Sequence, residues 1–149
     1  MDNKGVHFGA KEELIRVIFS PINLNLRKEV GKSLIEVHED GNLFVSFITG
    51  EGSIRVKLNE KRMVIYEWTV DISLDLMRYI LKRFCLFLRR NDIGVLRILD
   101  TAEVRPLVTY IRTELKDVMF ESMGEVCYLE LRVLNYLKNE STSTYGEGI

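Results

Sequence analysis

The sequence predicts a single mixed α/β domain, an α+β arrangement in which helices pack on a mixed sheet. Three observations predict it. Residues 33–70 fall into four short runs that alternate apolar and polar side chains and are broken by turn residues. Residues 74–88 then switch to helical spacing. A β-branched run at 95–99, a helical segment at 101–115 and a final alternating hairpin close the ordered part. The predicted layout is an antiparallel meander, then helix–strand–helix, then a C-terminal hairpin. The strand–helix–strand portion requires a crossover, expected to be right-handed.

Each element has its own signal. Residues 1–12 are polar and Gly-containing, and read as a flexible N-terminus. ELIRVIFSP (13–21) is β-branched and stopped by Pro21, so it reads as a strand. NLNLRKEVG (23–31) reads as a short helix ending at Gly31. SLIEVHE (33–39) runs into Asp40-Gly41, a two-residue hairpin signal, and NLFVSFIT (42–49) follows. SIRVKL (53–58) and MVIYEWTV (63–70) complete the meander. Leu74, Met77, Leu81, Phe84 and Leu88 form one helical stripe, with Asp71 or Ser73 as N-cap. Arg89 and Arg90 suit the negative end of its dipole. VLRIL (95–99) is a strand, and TAEVRPLVTYIRTEL (101–115) a helix with Pro106 in its first turn. KDVMFES (116–122) and EVCYLELRVL (125–134) form the last hairpin. One domain spans 13–137, and the polar stretch 138–149 reads as a disordered tail.

The chain has 149 residues and a formal net charge of −1, so no global field draws it to nucleic acid or to anionic membrane. Charge is uneven, with +4 over residues 72–116 and −4 over 117–149. Cys85 and Cys127 have no CxxC spacing, and the histidines are His7 and His38, so a structural zinc site is not expected. No apolar run approaches the ~18 residues of a membrane span. These features read as a cytoplasmic protein with no metal and no membrane partner.

VTYIRTELKDV (108–118) and SMGEVCYLELRVL (122–134) carry a resemblance, as does LMRYILKRFCLFLRRNDIGVLRIL (76–99). The element order and these segments resemble the GNAT family of acyl-CoA-dependent N-acyltransferases, over roughly residues 13–134. VTYIRTELKDV looks like that family's L-Y-x-x-x-G-F-x-x-V segment. The resemblance places Tyr110 on the tyrosine that protonates departing coenzyme A, and Leu115 on the Phe. Glu114 replaces the Gly. It implies transfer of an acetyl group from acetyl-CoA to a small-molecule or protein amine. It implies Glu67 as candidate base, and a coenzyme lying along Trp68, Val70, Asp71, Ile72 and Ser73. Sequential transfer of this kind needs no covalent nucleophile.

One departure is physical. Active members carry Q/R-x-x-G-x-G/A where this chain has TVDISLDLMRY (69–79). Glycines let the backbone approach a pyrophosphate held on free helix N–H groups. Here there is no Gly, and Asp71 and Asp75 stand in the first turn, where a carboxylate competes with a phosphate. The alternative is therefore a catalytically inactive module on the same scaffold that acts through a protein partner.

Each candidate residue also has a plainer role. Tyr110 fits a helix tyrosine with its ring on the sheet. Glu67, between Tyr66 and Trp68, fits a base if buried and an ordinary strand carboxylate if not. Glu36 and His38 fit a solvated strand face. Arg78, Lys82 and Arg89 share a helical face, either a phosphate patch or a solvated surface. Without interleaved aromatics, nucleic acid is not the expected partner. Cys85 and Cys127 lack a His partner and fit inert thiols.

Overall fold

Seven strands form one mixed sheet ordered β1-β2-β3-β4-β5-β7-β6. The computed structural model describes residues 4–140, with side chains from 12 to 139. The elements are α1 (Lys4–Val30), β1 (Ser33–Asp40), β2 (Asn42–Thr49), β3 (Ser53–Leu58), β4 (Met63–Trp68) and α2 (Leu74–Arg90). Then come β5 (Val95–Leu99), a 3-10 turn (Ala102–Val104), α3 (Arg105–Glu114), β6 (Met119–Ser122), β7 (Tyr128–Arg132) and α4 (Val133–Glu140). The mixed α+β class is as the sequence predicts.

The meander forms because its turns and its periodicity agree. Gly41 adopts φ +74° between β1 and β2, a conformation that costs a glycine little, and Asp40 then faces Asn42. β1 to β4 pair antiparallel in succession, and β4 pairs parallel with β5. β7 runs antiparallel to both β5 and β6, so β6 is parallel to β5. The connections through α2 and α3 are thus both crossovers. Ser73 caps α2, its hydroxyl accepting from the Leu76 N–H at 3.2 Å.

All four helices bury their apolar side chains in one core. Ile15, Phe19, Ile22 and Leu26 of α1 join it with Phe84 of α2, Ile111 of α3 and Tyr136 of α4. From the sheet come Val45, Phe47, Ile54, Val56, Met63, Ile65, Leu96, Ile98, Leu129 and Leu131, which the pairing register places on one face. Phe19 sits edge-on to Phe84 with ring centroids 5.4 Å apart, tying α1 to α2. The other sheet face carries half-exposed Phe44, Arg55, Lys57, Arg97 and Glu130. One dry and one wetter face is usual for a largely antiparallel sheet.

The largest correction concerns residues 13–31. The expected strand and short helix are one long helix, α1, which also takes in part of the N-terminus expected to be flexible. Residues 1–3 lie outside the described residues. The β-branched run is helical because Ile15, Phe19, Ile22 and Leu26 lie on one face, each at most 3% exposed. Burial overrides propensity here. Pro21 does not break the helix. It has no N–H to give the Val17 carbonyl, but the Ser20 hydroxyl donates to that oxygen at 2.8 Å.

The C-terminal hairpin is shorter than expected. β7 stops at Arg132, and α4 begins at Val133 and continues to Glu140, past the expected boundary at 137. The expected tail beyond Glu140 lies outside the described residues. The chain turns into a helix because Val133 and Tyr136, three apart, are both buried, and Tyr136 reaches the Arg78 carbonyl of α2 at 3.5 Å. β4 also ends at Trp68, two residues earlier than predicted.

Candidate functional site

The parallel strands β4 and β5 make the natural place to look, because ligands in such sheets bind beyond the carboxyl ends of the strands. Met63, Val64 and Ile65 pair with Leu96, Arg97 and Ile98. The paired register stops at Ile65 and Ile98. The 3-10 turn packs against β4 at this point, and Trp68, Val70 and Val104 are each fully buried. Trp68 Nε1 and Thr101 Oγ1 are buried with no hydrogen-bond partner.

A bulge decides which side chains enter this region. Arg55 faces Glu67 and Val56 faces Ile65, so Tyr66 is one residue too many for β3. The bulge reverses the alternation of β4. Ile65 and Trp68 share the core face, although strict period two would pair Ile65 with Glu67. Glu67 therefore lies on the open face, accepting from the Ser53 hydroxyl and pairing with Arg55 at 3.4 Å. Burial pushes the Tyr66 phenol above the ordinary tyrosine value; nearby Arg55 opposes this and Glu67 adds to it.

Tyr110 lies on α3, buried in the core at 7% exposure. Tyr110 belongs to the core under the helices, whereas Glu67 lies on the open face of β4. Glu36 and His38 are exposed on β1, at the edge of the sheet and three strands from β4.

The residues expected along a coenzyme run from the end of β4 to the N-cap of α2, and a carboxylate sits on that N-cap. Asp71 and Ser73 are exposed, and Ile72 is half-buried. The Ser73 N–H and hydroxyl donate to the two carboxylate oxygens of Glu29, the hydroxyl at 2.7 Å. Glu29 thus occupies the N-terminus of α2 in the manner of a bound anion. Asp75 stands in the same first turn, 4.0 Å from Arg78. Sequence reasoning missed Glu29 because it comes from the far end of α1, with no local pattern linking it to Ser73.

Other candidates are dispersed. Arg78 and Lys82 of α2 are half-buried, and Arg89 is exposed. Cys85 is buried and Cys127 half-buried, and neither is in a disulfide. No group of three or more potential metal ligands exists among the described residues. A cavity of about 330 Å³ opens at the other end of the sheet, beside Leu58, Asn59, Phe87 and Ile93. It lies at the amino ends of β4 and β5, away from Tyr110. No helix among the described residues is long and apolar enough to cross a membrane. No protein-family model matches the chain, and no curated protein is similar to it in sequence.

Proposed function

We propose that the protein is a non-catalytic α/β module that works by binding a protein partner. The observation that carries this reading is the Glu29 carboxylate on the N-terminus of α2. A coenzyme A pyrophosphate at that helix end would meet the Glu29 carboxylate, and Asp71 and Asp75 add further repulsion. The ion pair and hydrogen bond that hold Glu67 to Arg55 and Ser53 agree, since a general base needs its carboxylate turned to the substrate. The sheet face left open by the helices offers the partner aromatic Phe44, Tyr66 and Tyr128 among the pairs Arg55–Glu67 and Arg97–Glu130. Aromatic anchors within a polar surround suit protein contacts.

A second reading has one observation in its favour. The β4–β5 pairing ends at Ile65 and Ile98, and Trp68 Nε1 and Thr101 Oγ1 are buried without a hydrogen-bond partner. This is where a divergent acyltransferase would hold acetyl-CoA, with Tyr110 as its acid.

Titration of acetyl-CoA to millimolar concentration, followed by thermal melting, separates the two. The expected result is an unchanged Tm. Ligand at a hundred times its dissociation constant adds about 2.7 kcal/mol. A shift of that order retires the binding-module reading. The acyltransferase reading then requires Tyr110→Phe to keep the shift and lose amine acetylation.

A further inference from the structure

The helix α1 is apolar on two opposite sides, and the core uses only one of them. Ile15, Phe19, Ile22 and Leu26 face the sheet. Leu14, Val17, Pro21 and Leu24 follow the same three-and-four spacing on the outside. Leu14 is 55% exposed, Val17 68% and Leu24 45%. A surface helix normally shows polar residues there. A contiguous exposed apolar stripe marks a contact site.

We infer that this outer stripe is the interface of a homodimer in which α1 packs antiparallel against α1 of a second copy. Two features of the helix choose this occupant. The stripe is self-complementary under a two-fold axis near its middle: Leu14 meets Leu24 of the second copy, and Val17 meets its Pro21. A dimer with that symmetry uses the same patch twice. The flanking charges also match. Glu13, Ser20 and Arg27 run along one border of the stripe, seven residues apart, and all three are exposed. In the antiparallel arrangement, like borders face each other with opposite polarity. Glu13 then lies beside Arg27 of the second copy at both ends, and Ser20 beside Ser20 in the middle. A parallel arrangement puts Glu13 level with Glu13 and loses the match. Rim pairs of this kind set orientation more than affinity. The apolar stripe supplies the attraction.

This surface is separate from the open sheet face and from the N-terminus of α2; its one end, Leu14, borders the cavity that Phe87 of α2 also lines. The inference therefore holds whether or not coenzyme A binds.

Sedimentation velocity on the full chain, over a concentration series, tests it. The 17.4 kDa chain should sediment as a species of twice that mass. Val17→Glu should weaken association by at least about tenfold, because it buries a charge at the centre of the interface. Its far-ultraviolet spectrum and melt should stay cooperative, since Val17 takes no part in the core. Glu13→Arg and Arg27→Glu should each weaken the dimer, and the two together should restore it. This rescue also controls for Arg27, whose guanidinium donates to the Ser33 carbonyl at 3.3 Å within its own chain. A chain that stays monomeric to about a hundred micromolar overturns the inference. So does a dimer indifferent to Val17→Glu, or a double charge swap that fails to recover.

Discussion

Glu29 and Ser73 stand 44 residues apart in sequence, and one carboxylate accepts from both the N–H and the hydroxyl of the serine. The contact joins the end of α1 to the start of α2, and it works at two levels. It adds a carboxylate where the dipole of α2 is positive, complementing the cap that Ser73 provides to Leu76. It also removes those donors from any other anion.

Replacing Glu29 with Ala should therefore lower stability by about 1 kcal/mol, the usual scale for an exposed cap or charged hydrogen bond. Glu29→Gln should fall between, because the amide keeps one acceptor and loses the charge. Urea midpoints at constant slope would measure both. An Ala variant as stable as the parent would mean that the contact adds nothing.

What was legible in the sequence was local. The meander could be read because Ile54, Val56 and Leu58 alternate with polar neighbours and Asp40-Gly41 demands a hairpin. α2 could be read because its stripe and its Ser73 cap agree. α1 could not, because Ile15, Val17, Ile18 and Phe19 favour a strand in isolation, and the long-range packing that favours the helix, such as Phe19 on Phe47 and Phe84, leaves no local signal. α4 could not, because the apolar positions of β7 run straight into Val133 with no turn residue between. The candidate site was legible only as residue types. Period two counted from Met63 sends Glu67 to the core, whereas the bulge at Tyr66 sends it to the open face. A single inserted residue thus decides the face that Glu67 takes, and nothing in MVIYEWTV announces it.

The same bulge leaves Tyr66 partly buried, and the pH response of the fold should show it. The phenol is held above its ordinary value of 10.0, chiefly by burial. The folded state then keeps its proton where the unfolded chain has released it. This contribution is fully present below pH 10.0 and is lost as pH rises through the folded value. Tyr66→Phe should lose stability less steeply than the parent above that point, while the other tyrosines act equally in both proteins. Denaturant titrations at about pH 8 and about pH 11 give the comparison. Equal losses in the two proteins would show that Tyr66 titrates as it does in the unfolded chain.

Pro21 offers the sharpest test of how α1 holds together. A proline in a helix interior costs about 3 kcal/mol, since it removes one backbone hydrogen bond and crowds the preceding turn. Here the orphaned Val17 carbonyl accepts from the Ser20 hydroxyl, and the Pro21 carbonyl accepts from the Asn25 amide, each at 2.8 Å. Pro21→Ala returns an N–H to Val17 and should raise stability by about 1–3 kcal/mol, compared at one protein concentration. Ser20→Ala alone should lower it by about 1 kcal/mol, because it strips the carbonyl of its substitute donor. In the Pro21→Ala background that loss should shrink toward zero, since the backbone then serves Val17. The coupling in this double-mutant cycle measures the repair directly. Additive effects would mean that Ser20 bonds Val17 without compensating for Pro21.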